Sequence, residues 1–247
     1  MVRSYEIMNF IEFLAPLTLQ SITDNSGLQY GNDDKNILKL GISYEKDLKT
    51  IKKALNENCD MLITHRPLYL PKRFPTIENR VLNKIESLLK MNEMVVYSAH
   101  ENLDLAPDGI ADTIAEKLRL KHTIKDGQLR VGEMNIKFCD LIKFLDKCLN
   151  PQFILHIGNS KKIIKKVGIV PGTALDINDI EKCLKYKVDC YISGDTDDFG
   201  LRYGRDCNIN LICVGDYPLE KPGLLKLKDK LNNKFPQLNI KFIESSI

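Results

Sequence analysis

Short apolar runs alternate with longer amphipathic stretches along the whole of this 247-residue chain. That rhythm constrains the fold more than any other feature. Strands buried on both faces read as continuous hydrophobic runs, and parallel neighbours need a helical crossover between them. After an amphipathic helix near residues 5–15, Ile37–Ser43, Met61–Thr64 and Met94–Ala99 read as strands, with Glu45–Asn58, Ile77–Met91 and Ile110–Leu118 as helices. Around Lys121–Gly127 the pattern breaks into a polar, glycine-containing stretch, which marks a boundary between lobes 1–125 and 126–247. The second half restarts the rhythm. Leu129–Met134, Phe153–Ile157, Val167–Val170, Cys190–Ser193, Ile209–Val214 and Ile240–Ile243 read as strands, and Phe138–Leu149, Ile177–Lys187 and Glu220–Asn233 as helices. The expectation is an α/β protein of two similar lobes, each a mainly parallel or mixed sheet flanked by helices.

A hydrophobic share of 43% supports a real core, and 28% charged residues keep the surface solvated. Net charge is only +3, so the clusters Lys52–Lys53, Lys161–Lys162 and Lys165–Lys166 read as solvated faces. A nucleic-acid groove needs a basic stripe with stacking aromatics, which the sequence does not plainly display. No stretch of about 18 apolar residues is present, so no membrane-spanning helix is expected. Glu6 and Glu12 interrupt the N-terminal apolar region, which gives an expectation of a cytoplasmic protein. None of the seven cysteines forms a Cys-x-x-Cys pair, and they read as small buried hydrophobes.

Ligands of open α/β sheets bind beyond the carboxyl ends of the strands. Four such ends carry histidine or carboxylate: His65-Arg66 after Thr64, His100 to Asp104 after Ala99, Gly194-Asp195 after Ser193, and Asp216 to Glu220 after Val214. Mixed nitrogen and oxygen donors suit Zn, Fe, Mn or Co. Each residue alone has a plainer reading: His65 a hydrogen-bonded histidine, Asp104 a helix cap, Glu220 an anion in a first helical turn. Asp197 and Asp198 read as caps of the next helix, and Pro171-Gly172-Thr173 as a turn that could face an anion.

The same segments carry a family resemblance. Asp24 to Gly31 (DNSGLQYG) resembles a DNxGLQxG opening, Ile63 to Leu68 (ITHRPL) an ITHHPL segment, and His100 to Asp104 (HENLD) an HxNLD segment. Ser193-Gly194-Asp195 resembles TGE, and Gly215-Asp216-Tyr217 with Glu220 resembles GHYxSE. In this order the motifs are similar to those of the NIF-three-like family, whose members are often named type 2 GTP cyclohydrolase I homologues. The resemblance implies two α/β lobes with a dinuclear metal site in the cleft between them, and a toroidal homohexamer. It implies that His65 and Asp104 bind the first metal and that Glu220 binds or bridges. His100 beside them would position water or substrate.

Three positions depart from the family pattern. Arg66 stands for the second histidine of ITHHPL, Asp216 for the histidine of GHYxSE, and Asp195 for the glutamate of TGE. Arginine stays protonated and does not ligate metal. Arg66 and Asp216 are therefore expected to form an ion pair in place of the second metal, or Asp216 to serve as a weak ligand. Arg66 could also grip a substrate phosphate. One or two divalent ions per chain follow. Two functions remain open: a metal-dependent hydrolase of a nucleotide or other phosphate-bearing heterocycle, and a non-catalytic ring that binds single-stranded nucleic acid or a protein partner around a structural metal.

Overall fold

The structure, a computed structural model, describes residues 1–69, 80–175 and 177–245. The chain divides into two compact units, Met1–Gly109 with Leu224–Ile247, and Ile110–Gly223. In chain order the elements are β1 (Val2–Arg3), α1 (Ser4–Leu14), β2 (Gly27–Tyr30), β3 (Asn36–Ile37), β4 (Lys39–Ser43), α2 (Leu48–Asn56), β5 (Met61–Thr64), α3 (Arg80–Met91), β6 (Val95–Ser98) and α4 (Glu101–Leu105). The second unit continues with α5 (Ile110–Lys117), β7 (Lys121–Asp126), β8 (Leu129–Lys137), α6 (Phe138–Leu149), β9 (Leu155–Ile157), β10 (Ile163–Leu175), α7 (Ile177–Lys185), β11 (Cys190–Thr196), α8 (Asp198–Asp206) and β12 (Asn210–Cys213). The chain closes with α9 (Asp216–Lys234) and β13 (Asn239–Ile243).

The sheet of the first unit has the order β13-β4-β5-β6-β2. Its first four strands are parallel and β2 is antiparallel to β6. Every residue of β5 is buried, which explains why Met61-Leu62-Ile63-Thr64 is apolar without alternation. Ile51 and Ala54 of α2 and Ile85 and Leu89 of α3 close over Leu62 and Val96 as one cluster. Residues 77–79, expected to begin α3, lie outside the described residues.

The second unit has a mixed six-stranded sheet, β7-β8-β10-β11-β12-β9. Among its neighbouring strands only the pairs β10–β11 and β11–β12 are parallel. One face meets α5 and α6 through Ile114, Leu118, Leu141 and Leu145, packed on Val167, Ile169, Ile192 and Ile212. The other meets α7 through Ile180 and Cys183, packed on Val170, Tyr191 and Leu211. All seven cysteines are free, and burial pushes the Cys183 thiol up to about 12. Among the described residues no helix is long and apolar enough to cross a membrane.

Three elements differ from the sequence expectation. The strand β13 at the C-terminus pairs in parallel with β4, Ile240 opposite Leu40, so the chain's last segment belongs to the first unit. Pro171-Gly172, read as a turn before a helix, lies inside β10, where the register against β11 shifts between Val170 and Ala174 and Gly172 has φ +69°. Lys121–Gly127, read as a lobe boundary, is the exposed edge strand β7 and the glycine turn that leads into β8. Solvent on both sides removes the apolar signal, so pairing with β8 alone makes β7 a strand. Asp112 of α5 clamps that hairpin. It accepts from Lys125 Nζ and from Arg130 Nε, both at 2.6 Å. Arg130 is buried and also donates to the carbonyl of Gly127 at 2.6 Å.

Removing Asp112 leaves a buried guanidinium without its counter-ion. Asp112→Ala should therefore lower the unfolding free energy by about 3–5 kcal/mol, read as a lower urea midpoint. Asp112→Ala combined with Arg130→Met should recover part of that loss.

Candidate metal centre

Strands β5 and β6 run parallel and in register, Thr64 opposite Ser98. Both therefore end at one level, and the residues beyond them emerge side by side. The ladder continues past the strand ends, with His65 N bonded to Ser43 O at 3.0 Å and Ala99 N to Thr64 O at 3.0 Å. The His65 carbonyl accepts from Ser98 Oγ at 2.9 Å. These bonds hold His65 in a position with no solvent exposure.

The ring of His65 is oriented as firmly as its backbone. Nδ1 lies 2.7 Å from the Ala99 carbonyl, which can only accept, so Nδ1 carries the proton. Nε2 then presents its lone pair 3.5 Å from Oδ1 of buried Asp104. A histidine whose second nitrogen donates to a backbone carbonyl is oriented as metal ligands usually are. Asp104 reaches this position because α4 begins at the end of β6. Its amide bonds the His100 carbonyl at 3.0 Å, which stacks residues 100 and 104 one turn apart. Asn102 ties the helix down by donating to Ala15 O at 2.7 Å.

His100 completes the group. One donor atom each from His65, His100 and Asp104 lies within 4.8 Å of the others. The His100 ring stands edge-on to His65, with centroids 5.1 Å apart. Its Nδ1 lies 2.7 Å from Asp24 Oδ1, which leaves Nε2 as the nitrogen for a ligand. Asp24 also accepts from Ser26 Oγ at 2.6 Å, and Ser26 Oγ accepts from the His100 amide at 3.2 Å. Burial raises the Asp24 carboxyl, yet the bonds from His100 and Ser26 outweigh it and hold the pKa at about 2. The sequence alone does not identify Asp24 as a site residue. Its place in the DNSGLQYG segment was the only signal, since the partner lies 76 residues away.

A divalent transition ion fits this donor set. Two ligands at about 2.1 Å around a tetrahedral ion stand about 3.4 Å apart. The 3.5 Å between His65 Nε2 and Asp104 Oδ1 matches that spacing, and it is long for a strong charge-assisted hydrogen bond.

Arg66, next in sequence, turns to Tyr44. Its Nε and Nη2 bond the Tyr44 hydroxyl at 3.1 and 2.8 Å, and its guanidinium lies 5.4 Å from that ring's centroid. The other predicted ligands belong to the second unit. Asp216 and Glu220 sit four residues apart on α9 and share a face, Glu220 being buried. A Cβ at Gly172 would overlap the Glu220 carboxylate, and one at Gly194 would overlap Asp216. Both glycines are thus spaces kept for acidic side chains. Of the remaining carboxylates, Asp197 caps α8 by accepting from Gly200 N at 2.6 Å, and Asp198 pairs with Arg202. Asp195 accepts from Thr196 N at 2.7 Å.

The family described as Duf34/NIF3 (NGG1p interacting factor 3) matches residues 2–247. A relative from Methanocaldococcus jannaschii, named GTP cyclohydrolase 1 type 2 homolog, is 32% identical over 236 residues, covering 94% of this chain and 96% of its own. A protein of the same name from Clostridium perfringens is 29% identical, covering 97% and 95%. Among solved structures, reduced HcgD from Methanocaldococcus jannaschii superposes with a TM-score of 0.88 at 30% identity, covering 98% of each chain. The protein ybgI gives 0.89 at 19% identity over 100% and 99%, a likeness of fold.

Metal analysis should find His65→Ala depleted of bound divalent ion while its circular dichroism matches the unchanged protein. Asp24→Asn keeps the first-contact donors but loses the anion that orients His100. It should weaken metal binding by about 10- to 100-fold in a competition titration.

Proposed function

Because this chain belongs to the Duf34/NIF3 family, we propose that it is a divalent-metal protein that hydrolyses a nucleotide or other phosphate-bearing heterocycle. The observation that carries the proposal is the buried His65, its Nδ1 committed to Ala99 and its Nε2 turned to Asp104 at 3.5 Å. Names of the form GTP cyclohydrolase 1 type 2 homolog, borne by relatives that match 94–97% of the chain, support the substrate class.

A bound divalent ion supplies hydroxide at neutral pH by lowering the pKa of its water to about 7. The residues divide the remaining work. His65 and Asp104 are ligands, and Asp216 and Glu220 are assigned as further carboxylate ligands. His100 positions water or substrate, or moves a proton, through the nitrogen opposite its bond to Asp24. Arg66 grips a substrate phosphate with the planar fork that Tyr44 steadies. The protein is proposed to act as a cytoplasmic homohexamer.

The test is a metabolite screen with metal-reconstituted protein. Hydrolysis should appear for a phosphate-bearing heterocycle, vanish with a chelator and return with added metal. Measured at a metal concentration that saturates the site, His100→Ala should lose most turnover, on the order of 100-fold or more. Turnover that survives complete metal removal would end the proposal, and light scattering that reports a monomer at micromolar concentration would end the hexamer.

A further inference from the structure

A second site lies wholly within the second unit. A groove of ≈ 730 Å³ opens where the turn after α5, strand β8, helix α6 and the start of β10 meet. Its volume falls within the roughly 300–1,000 Å³ of small-molecule sites. Met134, Ile136 and Phe144 form its apolar part, all three half-buried and packed on the core beneath. Around them stand Arg119, Lys121 and Lys165, all exposed.

The charge here is concentrated. The chain as a whole is only +3. The groove holds four cations, the fourth being Lys166, against the single carboxylate of Glu133. Glu133 lies opposite Lys121 on one side and Lys166 on the other in the strand register. The Lys166 amine is already bonded to the Tyr186 carbonyl at 3.1 Å. Among the described residues Arg119, Lys121 and Lys165 have no ion-pair partner. Three cations around one concavity repel each other, and an anion that enters it relieves that repulsion. A bare inorganic anion would leave the apolar wall facing water.

We infer that this groove binds a nucleoside phosphate, with the phosphate held by Arg119, Lys121 and Lys165 and the base against Phe144, Met134 and Ile136. Phe144 offers the aromatic surface on which any base can lie, so the site selects the phosphate more than the base. The same chemistry is presented by a free nucleotide and by one unit of a single strand. The inference does not depend on the proposed hydrolysis, because none of these residues belongs to the metal centre.

The test is fluorescence anisotropy on the full chain, in chelator, with labelled ATP and separately with a labelled oligothymidylate. Lys121→Glu combined with Lys165→Glu alters exposed side chains only and should weaken labelled ATP at least tenfold, with affinity falling as salt rises. Lys49→Glu combined with Lys90→Glu, exposed charges outside both sites, should leave that affinity unchanged. Inorganic phosphate should compete only weakly, for want of the apolar contact. Tighter binding of the oligonucleotide, lost to the same double substitution, would support the site with a single strand as its source. Several results would overturn the inference: no ATP binding at millimolar concentration, binding insensitive to the double substitution, or binding lost only with His65→Ala. So would a changed oligomeric mass in light scattering of the double variant, which would make the groove an interface between copies.

Discussion

The hydrogen bond from His65 Nδ1 to the Ala99 carbonyl, 2.7 Å long and fully buried, is the constraint on which the candidate metal centre depends. It decides which ring nitrogen carries the proton, and hence which one faces Asp104. The bond exists only because β5 and β6 end at the same level, Thr64 opposite Ser98. A slip of one residue in that register would turn His65 to the other face and bring a different carbonyl to its ring. Sheet register and site chemistry are therefore one property here. The buried strands Met61–Thr64 and Val95–Ser98, with helices packed over them, make the register costly to change.

Around this bond the first unit arranges supports from distant parts of the chain. Asp24 orients His100, Ala15 anchors Asn102, and Tyr44 holds Arg66. Each is a short polar contact at least partly shielded from water, where a hydrogen bond is stronger and an unmet polar group more costly than in the open. The second unit uses a different device for its own acidic residues. It omits side chains at Gly172 and Gly194, so that Glu220 and Asp216 can lie against bare backbone. At Gly172 the positive φ and the approach of Glu220 both exclude a larger residue.

The buried parallel strands were legible because burial on both faces writes itself as an uninterrupted apolar run. The apolar run Met61–Thr64 coincides with its strand to the last residue, and the strand-end histidines and carboxylates lie one step beyond such runs. Asp197 as a cap was legible as well, since capping chemistry is local. The polar edge strand Lys121–Asp126 was not legible, and neither was the membership of Asn239–Ile243 in the first sheet. An exposed edge carries no hydrophobic pattern, and partner choice between strands some 200 residues apart is not written in either segment alone. The role of Asp24 was hidden for the same reason.

The sequence by itself determined the alternation of strands and helices, the residue types at the strand ends and the motifs that mark the family. These depend on local periodicity and on side-chain chemistry, which the chain states directly. Only the tertiary structure decided that His100 joins His65 and Asp104 in one donor group, that Asp24 orients it, and that the last strand returns to the first unit. It also decided that four cations separated along the chain line one apolar groove. Those facts are distances between segments remote in sequence. Such distances arise from which strands pair and how helices cover them, a choice made by burial over the whole fold rather than by any segment's own pattern.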